Sequence, residues 1–276
     1  MYKGKKIGAI IIAYNAEHTL EETVGLVPRD VVDYLAICDD GSTDRTREIG
    51  LSLGVDTFSH ERNRGAGANT IRGFDVMLQR GDIDIAVLLH GDNQYDPARL
   101  PDVVDPVAEG RCDMVLGGRV NWSQGKMPVY KQAGNVFLTW VQNRIFGRDL
   151  FDYATGYKAV SREVLRTINY RENKENFEFD PQFNAQVLWH GFRVENVKVP
   201  TKYFDEASSV SFSKSVQYGF QTLKAAFAYG LYKRGLRMDY VNSLFKKVDN
   251  PCFHEVSVAD KGPYLGFPEP QEQRLP

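Results

Sequence analysis

The chain lacks any apolar run near the ~20 residues needed to cross a bilayer; its longest stretches, around residues 7–13 and 85–89, are too short. That excludes an expected transmembrane helix. Cysteine is scarce: Cys38, Cys112 and Cys252 are widely spaced and show no metal-ligand pattern. This excludes a disulfide framework or zinc knuckle and fits a reducing cytoplasm. No charge of one sign dominates, since 34 Lys and Arg face 36 Asp and Glu for a formal net charge of −2. Nucleic acid is therefore not the expected partner. The basic start Met1-Tyr2-Lys3-Gly4-Lys5-Lys6 has no small-residue cleavage site after it, so no secretion signal is expected. Internal repeats are absent as well.

What is present reads as a globular chain, with 276 residues and 42% hydrophobic content sufficient for a packed core. Residues 6–13, 35–38, 55–59, 85–89 and 114–116 form short apolar, β-branched runs that predict strands. Residues 19–26, 43–53, 66–79 and 98–108 carry helical patterns, with Ser42 or Thr43 and Asp96-Pro97 as start signals. Strand and helix in alternation imply an α/β fold, a mostly parallel sheet flanked by helices. In such sheets ligands sit outside the carboxyl ends of the strands. That locates chemistry at Tyr14-Asn15, Asp39-Asp40 and His90-Gly91-Asp92.

The second half is less regular. Residues 129–145 and 181–189 predict helices, residues 155–157 a turn into a short element, residues 171–178 a charged connection, and residues 194–199 a strand. One long helix is expected over 213–237, followed by a polar, weakly ordered tail over 238–276 rich in proline.

A dinucleotide-binding sheet carries its glycine fingerprint after the first strand. Here that turn reads Ala13-Tyr14-Asn15-Ala16-Glu17, and the glycine-rich Asn63-Arg64-Gly65-Ala66-Gly67-Ala68 follows the third strand instead. A dinucleotide-binding dehydrogenase is disfavoured. Taken alone, Asp39-Asp40-Gly41-Ser42-Thr43-Asp44 reads equally well as a ligand loop or as a turn with a helix cap.

Four segments in order change this. Residues 10–17, Asp39-Asp40-Gly41-Ser42-Thr43-Asp44, residues 63–68 and Gly91-Asp92-Asn93-Gln94-Tyr95-Asp96-Pro97 resemble the family-2 glycosyltransferases with the GT-A, Rossmann-like fold. The resemblance continues through Gly117-Gly118-Arg119 and Thr155-Gly156-Tyr157-Lys158, covers about residues 6–237, and looks closest to the dolichyl- and polyprenyl-phosphate sugar synthases.

The resemblance implies a catalytic domain over 1–237, with a nucleotide-sugar half about 1–120 and an acceptor half about 121–237. Its activity would be inverting transfer of a sugar from a UDP- or GDP-linked donor to a polyprenyl phosphate. Ala13, Tyr14 and Glu17 would border the nucleoside, with Asp39 and Asp40 accepting hydrogen bonds from base or ribose and Gly67 and Gly91 at the nucleotide sugar. Asp92 corresponds to the last acid of the DXD motif, which holds Mg²⁺ or Mn²⁺ on the sugar diphosphate, and Gln94 matches a position that also reaches the metal. Arg119 and Lys131 fall where basic residues contact phosphates. Such cations stabilise the charge gained by the departing diphosphate.

His90 departs from the family's acid at the first DXD position, and three roles stay open for it: ligand, partner of a ligand, or polar end of a strand. Asp180, with Glu178 as the alternative, stands where an acid faces the acceptor, although both carboxylates also suit the amino end of a helix. Lys202 and Lys214 are the candidate acceptor-binding cations. Residues 213–237 hold Lys214, Lys224, Lys233, Arg234 and Arg237, no acid, and Val216, Phe220, Leu223, Phe227 and Leu231 at helical spacing. That pattern suits peripheral contact with an anionic membrane at its inner face, or equally a packing helix or a homo-oligomer contact. Rival functions are a hydroxyl-directed transferase of cell-surface glycan synthesis, a nucleotidyltransferase, and a catalytically silent sugar-nucleotide binder.

Overall fold

The computed structural model describes residues 1–120, 129–201, 212–236 and 239–250, and within them not the side chains of Val120, Val129, Phe212 and Lys214. Lys202, Arg237 and the proline-bearing part of the expected tail, 251–276, lie outside them.

Seven strands form one sheet in the order β3-β2-β1-β4-β6-β5-β7. They are β1 Ile7–Ala13, β2 Tyr34–Asp39, β3 Asp56–Ser59, β4 Ile85–His90, β5 Met114–Val120, β6 Lys158–Ser161 and β7 Val194–Pro200. Only β6 runs antiparallel, against both β4 and β5. The sheet is therefore mostly parallel, and the carboxyl ends of β1, β2, β4, β5 and β7 share one edge.

Why these segments become central strands is plain in β1, where all seven residues are buried. A strand covered on both faces is apolar throughout rather than alternating. Its even positions Ile10 and Ile12 belong to one core and Ile7, Ile11 and Ala13 to the other. Each fully buried aliphatic side chain contributes roughly 1.5–3 kcal/mol.

Helices α1 Leu20–Leu26, α2 Thr46–Ser52, α3 Ala66–Arg80 and α4 Leu100–Ala108 follow the first four strands, α4 being preceded by a 3-10 turn at Pro97–Arg99. The second half adds α5 Val129–Phe146, α6 Arg162–Thr167, α7 Phe179–Trp189, α8 Phe212–Lys233 and α9 Asp239–Leu244. The expected α2 start at Thr43 shifts to Thr46 because the Thr43 amide donates instead to Asn15 Oδ1 at 2.9 Å. Residues 239–250, expected to open the polar tail, are packed: Val241, Leu244 and Phe245 are buried, and Asn250 Nδ2 donates to the Leu165 and Ile168 carbonyls.

Candidate functional site

Strand order reverses direction at β1, with β2 on one side and β4 on the other. This is the crevice where an open α/β sheet receives its ligand. Register brings Ala13 beside Asp39, and Ile12 beside both Cys38 and His90, so three strand ends converge there. Two asparagines follow two of these strands in left-handed backbone, Asn15 at φ 50° and Asn93 at φ 55°. Asparagine tolerates that region better than most residues, and such conformations cluster at ligand sites.

The β1–β2 edge is tied together by hydrogen bonds. Ser42 donates from its backbone N–H (3.1 Å) and its hydroxyl to Asp39 Oδ1, while among the described residues none donates to Asp39 Oδ2. Asp40 is used inside the fold, where its carboxylate pairs with His60 Nδ1 at 2.8 Å and accepts the Arg64 and Gly65 amides at 3.0 and 2.8 Å. The two neighbours thus divide the work: Asp40 builds the turn before α3, and Asp39 has an oxygen to offer. Glu17 spans to the start of α2, accepting the Arg45 amide at 3.3 Å, and the Tyr14 ring stands half exposed at the rim. Asp44 accepts the Thr46 hydroxyl and the Thr46 and Glu17 amides. Partial burial would raise its carboxyl, yet those bonds outweigh burial and hold it below the usual range.

At the end of β4, Gly91 donates its amide to the Ile12 carbonyl at 2.9 Å. Asp92 Oδ1 accepts the Gln94 amide at 3.1 Å, and among the described residues Oδ2 accepts no hydrogen bond and the Gln94 side chain makes none. Asn93 Oδ1 is buried without a partner. Three consecutive residues therefore hold unpaired oxygens, the hard donors that Mg²⁺ and Mn²⁺ take. Among the described residues no three His, Cys, Asp or Glu side chains group around a metal position. A cation here would draw its remaining ligands from water and diphosphate. His90 packs against the 155–157 turn: its Nε2 lies 1.9 Å from where a Cβ on Gly156 would stand, and its ring centroid is 5.9 Å from that of Tyr95.

Gly67, expected at the nucleotide sugar, meets protein backbone. A Cβ there would lie 2.7 Å from the Glu175 carbonyl carbon and the Lys174 oxygen. Gly65, at φ 111°, is pressed equally close to Asn176. The charged connection between β6 and α7 thus seals the glycine-rich turn.

On the other wall the cations are paired. Arg119 binds Asp152 through Nε at 2.9 Å and Nη2 at 3.2 Å. Lys158, whose side chain is 0% exposed, donates to Asp180 Oδ1 in the first turn of α7. The Tyr218 hydroxyl of α8 is pushed up by burial and then by the charge of Asp180, with Arg119 and Asp152 also in reach. Asp92, Arg119 and Asp180 thus stand on different elements of one sheet edge. Lys131 lies on α5, partly buried and engaged in an interaction of its own.

Sequence reasoning missed Asp152 and Tyr218, and quoted Lys158 only as the last residue of the Thr155-Gly156-Tyr157-Lys158 segment that carries the resemblance. A signal for Lys158 exists in hindsight: a lysine opening an apolar strand, Lys158-Ala159-Val160, must be paired if buried.

Helices α5 and α8 pack together, the Phe146 and Tyr229 rings meeting edge-on at 4.9 Å. Their outward faces are apolar: Val136, Phe137 and Trp140 on α5 and Phe220 and Phe227 on α8 are 54–70% exposed. No described helix is long and apolar enough to cross a membrane.

Comparison with known proteins agrees with this architecture. Residues 9–168 match the family model described as Glycosyl transferase family 2. The chain is 27% identical over 236 residues to a UDP-N-acetylglucosamine–dolichyl-phosphate N-acetylglucosaminyltransferase of Methanococcus voltae, covering 79% of this chain and 93% of that one. It is 28% identical to a polyprenol monophosphomannose synthase of Mycolicibacterium smegmatis, covering 73% and 78% of the two chains. Among solved structures, glucosyl-3-phosphoglycerate synthase of Mycobacterium tuberculosis in complex with Mg²⁺ and UDP superposes with a TM-score of 0.65 at 17% identity, covering 86% and 82%. The likeness to that structure gives the GT-A fold.

Proposed function

The chain belongs to glycosyl transferase family 2, and from that premise we propose that it moves a sugar from a UDP- or GDP-linked donor, with inversion, onto polyprenyl phosphate. The observation that carries this reading is α8. One helix borders the cleft through Tyr218, beside Asp180 and Arg119, and exposes Phe220 and Phe227 to the outside. A lipid-linked phosphate needs such an arrangement, with its head in the cleft and its chain along an apolar face. The M. voltae relative is named for a dolichyl-phosphate acceptor, which supports the same reading.

In the mechanism the nucleoside lies over the β1 and β2 ends, with Asp39 Oδ2 accepting from base or ribose. Asp92 with Gln94 would hold Mg²⁺ or Mn²⁺, which would supply neutralisation of the charge on the departing diphosphate. Arg119 contributes a second cation to that charge. An acceptor phosphate oxygen attacks the anomeric carbon in line while the bond to the diphosphate oxygen breaks. A single displacement of this kind inverts the carbon and releases the nucleoside diphosphate. Because the acceptor is already an anion, no proton has to be removed from it, and positioning supplies the rate. Asp180 Oδ1, bound to Lys158, then orients rather than deprotonates.

The membrane contact follows from the same face. Neither α5 nor α8 contains an acidic residue, whereas α5 carries Lys131 and Arg144 and α8 carries Lys214, Lys224 and Lys233. Exposed aromatics with basic neighbours suit the headgroup region of an anionic bilayer, which supports a peripheral position on the cytoplasmic leaflet. Vesicles containing phosphatidylglycerol should bind the protein, with affinity falling as salt rises because exposed charges are screened beyond a Debye length of ~8 Å at physiological ionic strength. Binding that ignores salt and lipid charge, or dimerisation in its place, would move this face to a protein contact.

The transfer itself is tested with a panel of UDP- and GDP-sugars and Mn²⁺ or Mg²⁺, offered polyprenyl phosphate or the matching free polyprenol. Product with the phosphate alone is expected. Transfer only to hydroxyl acceptors would replace the proposed acceptor, and donor binding without transfer to any would favour a silent binder.

A further inference from the structure

Arg119 does not stand alone, and the chain spends an unusual number of hydrogen bonds on its partner. Asp152 is 2% exposed. Its Oδ2 accepts from Arg119 Nε at 2.9 Å and from the Arg119 amide at 3.2 Å; its Oδ1 accepts from Arg119 Nη2 at 3.2 Å and from the Ala154 amide at 2.9 Å. Asn196 of β7 seats the segment that carries it. Asn196 Nδ2 donates to the Leu116 and Asp152 carbonyls at 3.1 and 2.9 Å, and Oδ1 accepts the Phe151 and Asp152 amides at 2.7 and 3.3 Å. Both donors and both acceptor sites of the amide are thereby used. Phe151 lies over Gly118, where a Cβ would come within 2.3 Å of its ring.

We propose that Asp152, fixed in place by Asn196, is a positioning residue that aims the Arg119 guanidinium at the donor's diphosphate. A carboxylate gripping the Nε–Nη2 edge fixes the plane of the fork and turns the Nη1 edge the other way. The arrangement sacrifices some positive charge, because the pair is neutral, and gains a cation whose direction is set before the ligand arrives. Orientation of this kind is worth more in a transition state than in loose binding. The inference rests on the reading of Arg119 as a diphosphate contact, and the test separates the two.

Four proteins are compared: the parent, Arg119→Ala, Asp152→Asn, and the double variant. Affinity for UDP and GDP with Mn²⁺ is measured beside that for uridine and guanosine, and thermal melting reports the fold. Asp152→Asn cannot accept from both guanidinium nitrogens, so it should weaken binding of the preferred diphosphate by about tenfold while leaving its nucleoside unaffected. In the Arg119→Ala background the same change should cost nothing further, because a residue acting through another loses its effect when that other is gone. Asn196→Ala provides a second route, with a smaller loss of the same kind. If Asp152→Asn weakens nucleoside and diphosphate equally, or weakens the diphosphate again in the Arg119→Ala background, the residue is structural and the proposal falls. If Arg119→Ala weakens diphosphate binding and Asp152→Asn does not, the positioning role alone fails. If Arg119→Ala itself changes nothing, the diphosphate contact fails and takes the positioning role with it.

Discussion

The two walls of the cleft use their carboxylates in opposite ways. At the β1–β2 edge, Asp39, Asp40 and Asp44 accept mainly from backbone amides and hydroxyls. At the β5–β6 edge, Asp152 and Asp180 hold Arg119 and Lys158. The first arrangement fixes loops and leaves no mobile charge, which suits a nucleoside recognised by hydrogen bonds. The second stores cations as neutral pairs, which an anionic ligand can enter by adding its charge to a site already organised. The cleft is thus preset on one side for shape and on the other for charge.

The sharpest break in that comparison lies between the walls, at Asp92. If it holds a cation on the diphosphate, Asp92→Asn should lower turnover by about a hundredfold or more, since metal stabilisation of developing charge is worth several kcal/mol. Donor affinity with Mn²⁺ should fall while metal-free nucleoside binding stays. Equal losses in both would return Asp92 to a turn-forming role.

Next comes the ion-paired wall. Asp180→Asn strands the fully buried Lys158 charge and should destabilise the protein by about 3 kcal/mol, seen in chemical denaturation. Replacing both, with Lys158→Met, should recover most of that loss. Turnover of the single variant with a phosphate acceptor should stay within about tenfold of the parent. A thousandfold loss, with the acidic limb of the pH profile gone, would make Asp180 the base for a hydroxyl acceptor.

The smallest effect belongs to the neutral wall. Asp44 has a folded-state carboxyl held below its unfolded value. Its stabilisation is therefore fully present above the unfolded value near ~3.9 and is lost as pH falls through the lower folded value. Asp44→Ala should cost about 1 kcal/mol at neutral pH, as for other capping residues, and should flatten the acid limb of the stability curve below pH ~4. An unchanged acid limb would show that the amides, not the charge, do the holding.

How far the sequence could be read follows the same division. β1, β2 and β4 were legible because strands buried on both faces leave unbroken apolar runs, and the candidate residues Asp39 and Asp92 follow them directly. The partners on the second wall were not, because Arg119 meets Asp152 and Lys158 meets Asp180 across 33 and 22 residues, and no local spacing encodes such pairs. β6 was read only as a short element after a turn, since four residues opening on a lysine resemble a loop. In α8 the periodicity was real but its direction was hidden. Ala225, Ala226 and Tyr229 face the core, while Phe220 and Phe227 face outward. Pattern alone suits either direction for the larger aromatics.

The lone antiparallel strand has a consequence for the order in which the molecule can be built. β6 is bonded to β4 on one side and β5 on the other. Remove it and the sheet separates into a four-strand piece, β3-β2-β1-β4, and a pair, β5-β7. The first piece is continuous in the chain and is complete by residue 90, whereas the second must wait for β7 at 194–200. Lys158 reaches its buried place only as β6 is laid between them. During synthesis the loops at the β1 and β2 ends can therefore take shape while the ribosome has yet to supply the wall built on β5, β6 and β7, and a chain interrupted before that seam is closed has half a cleft.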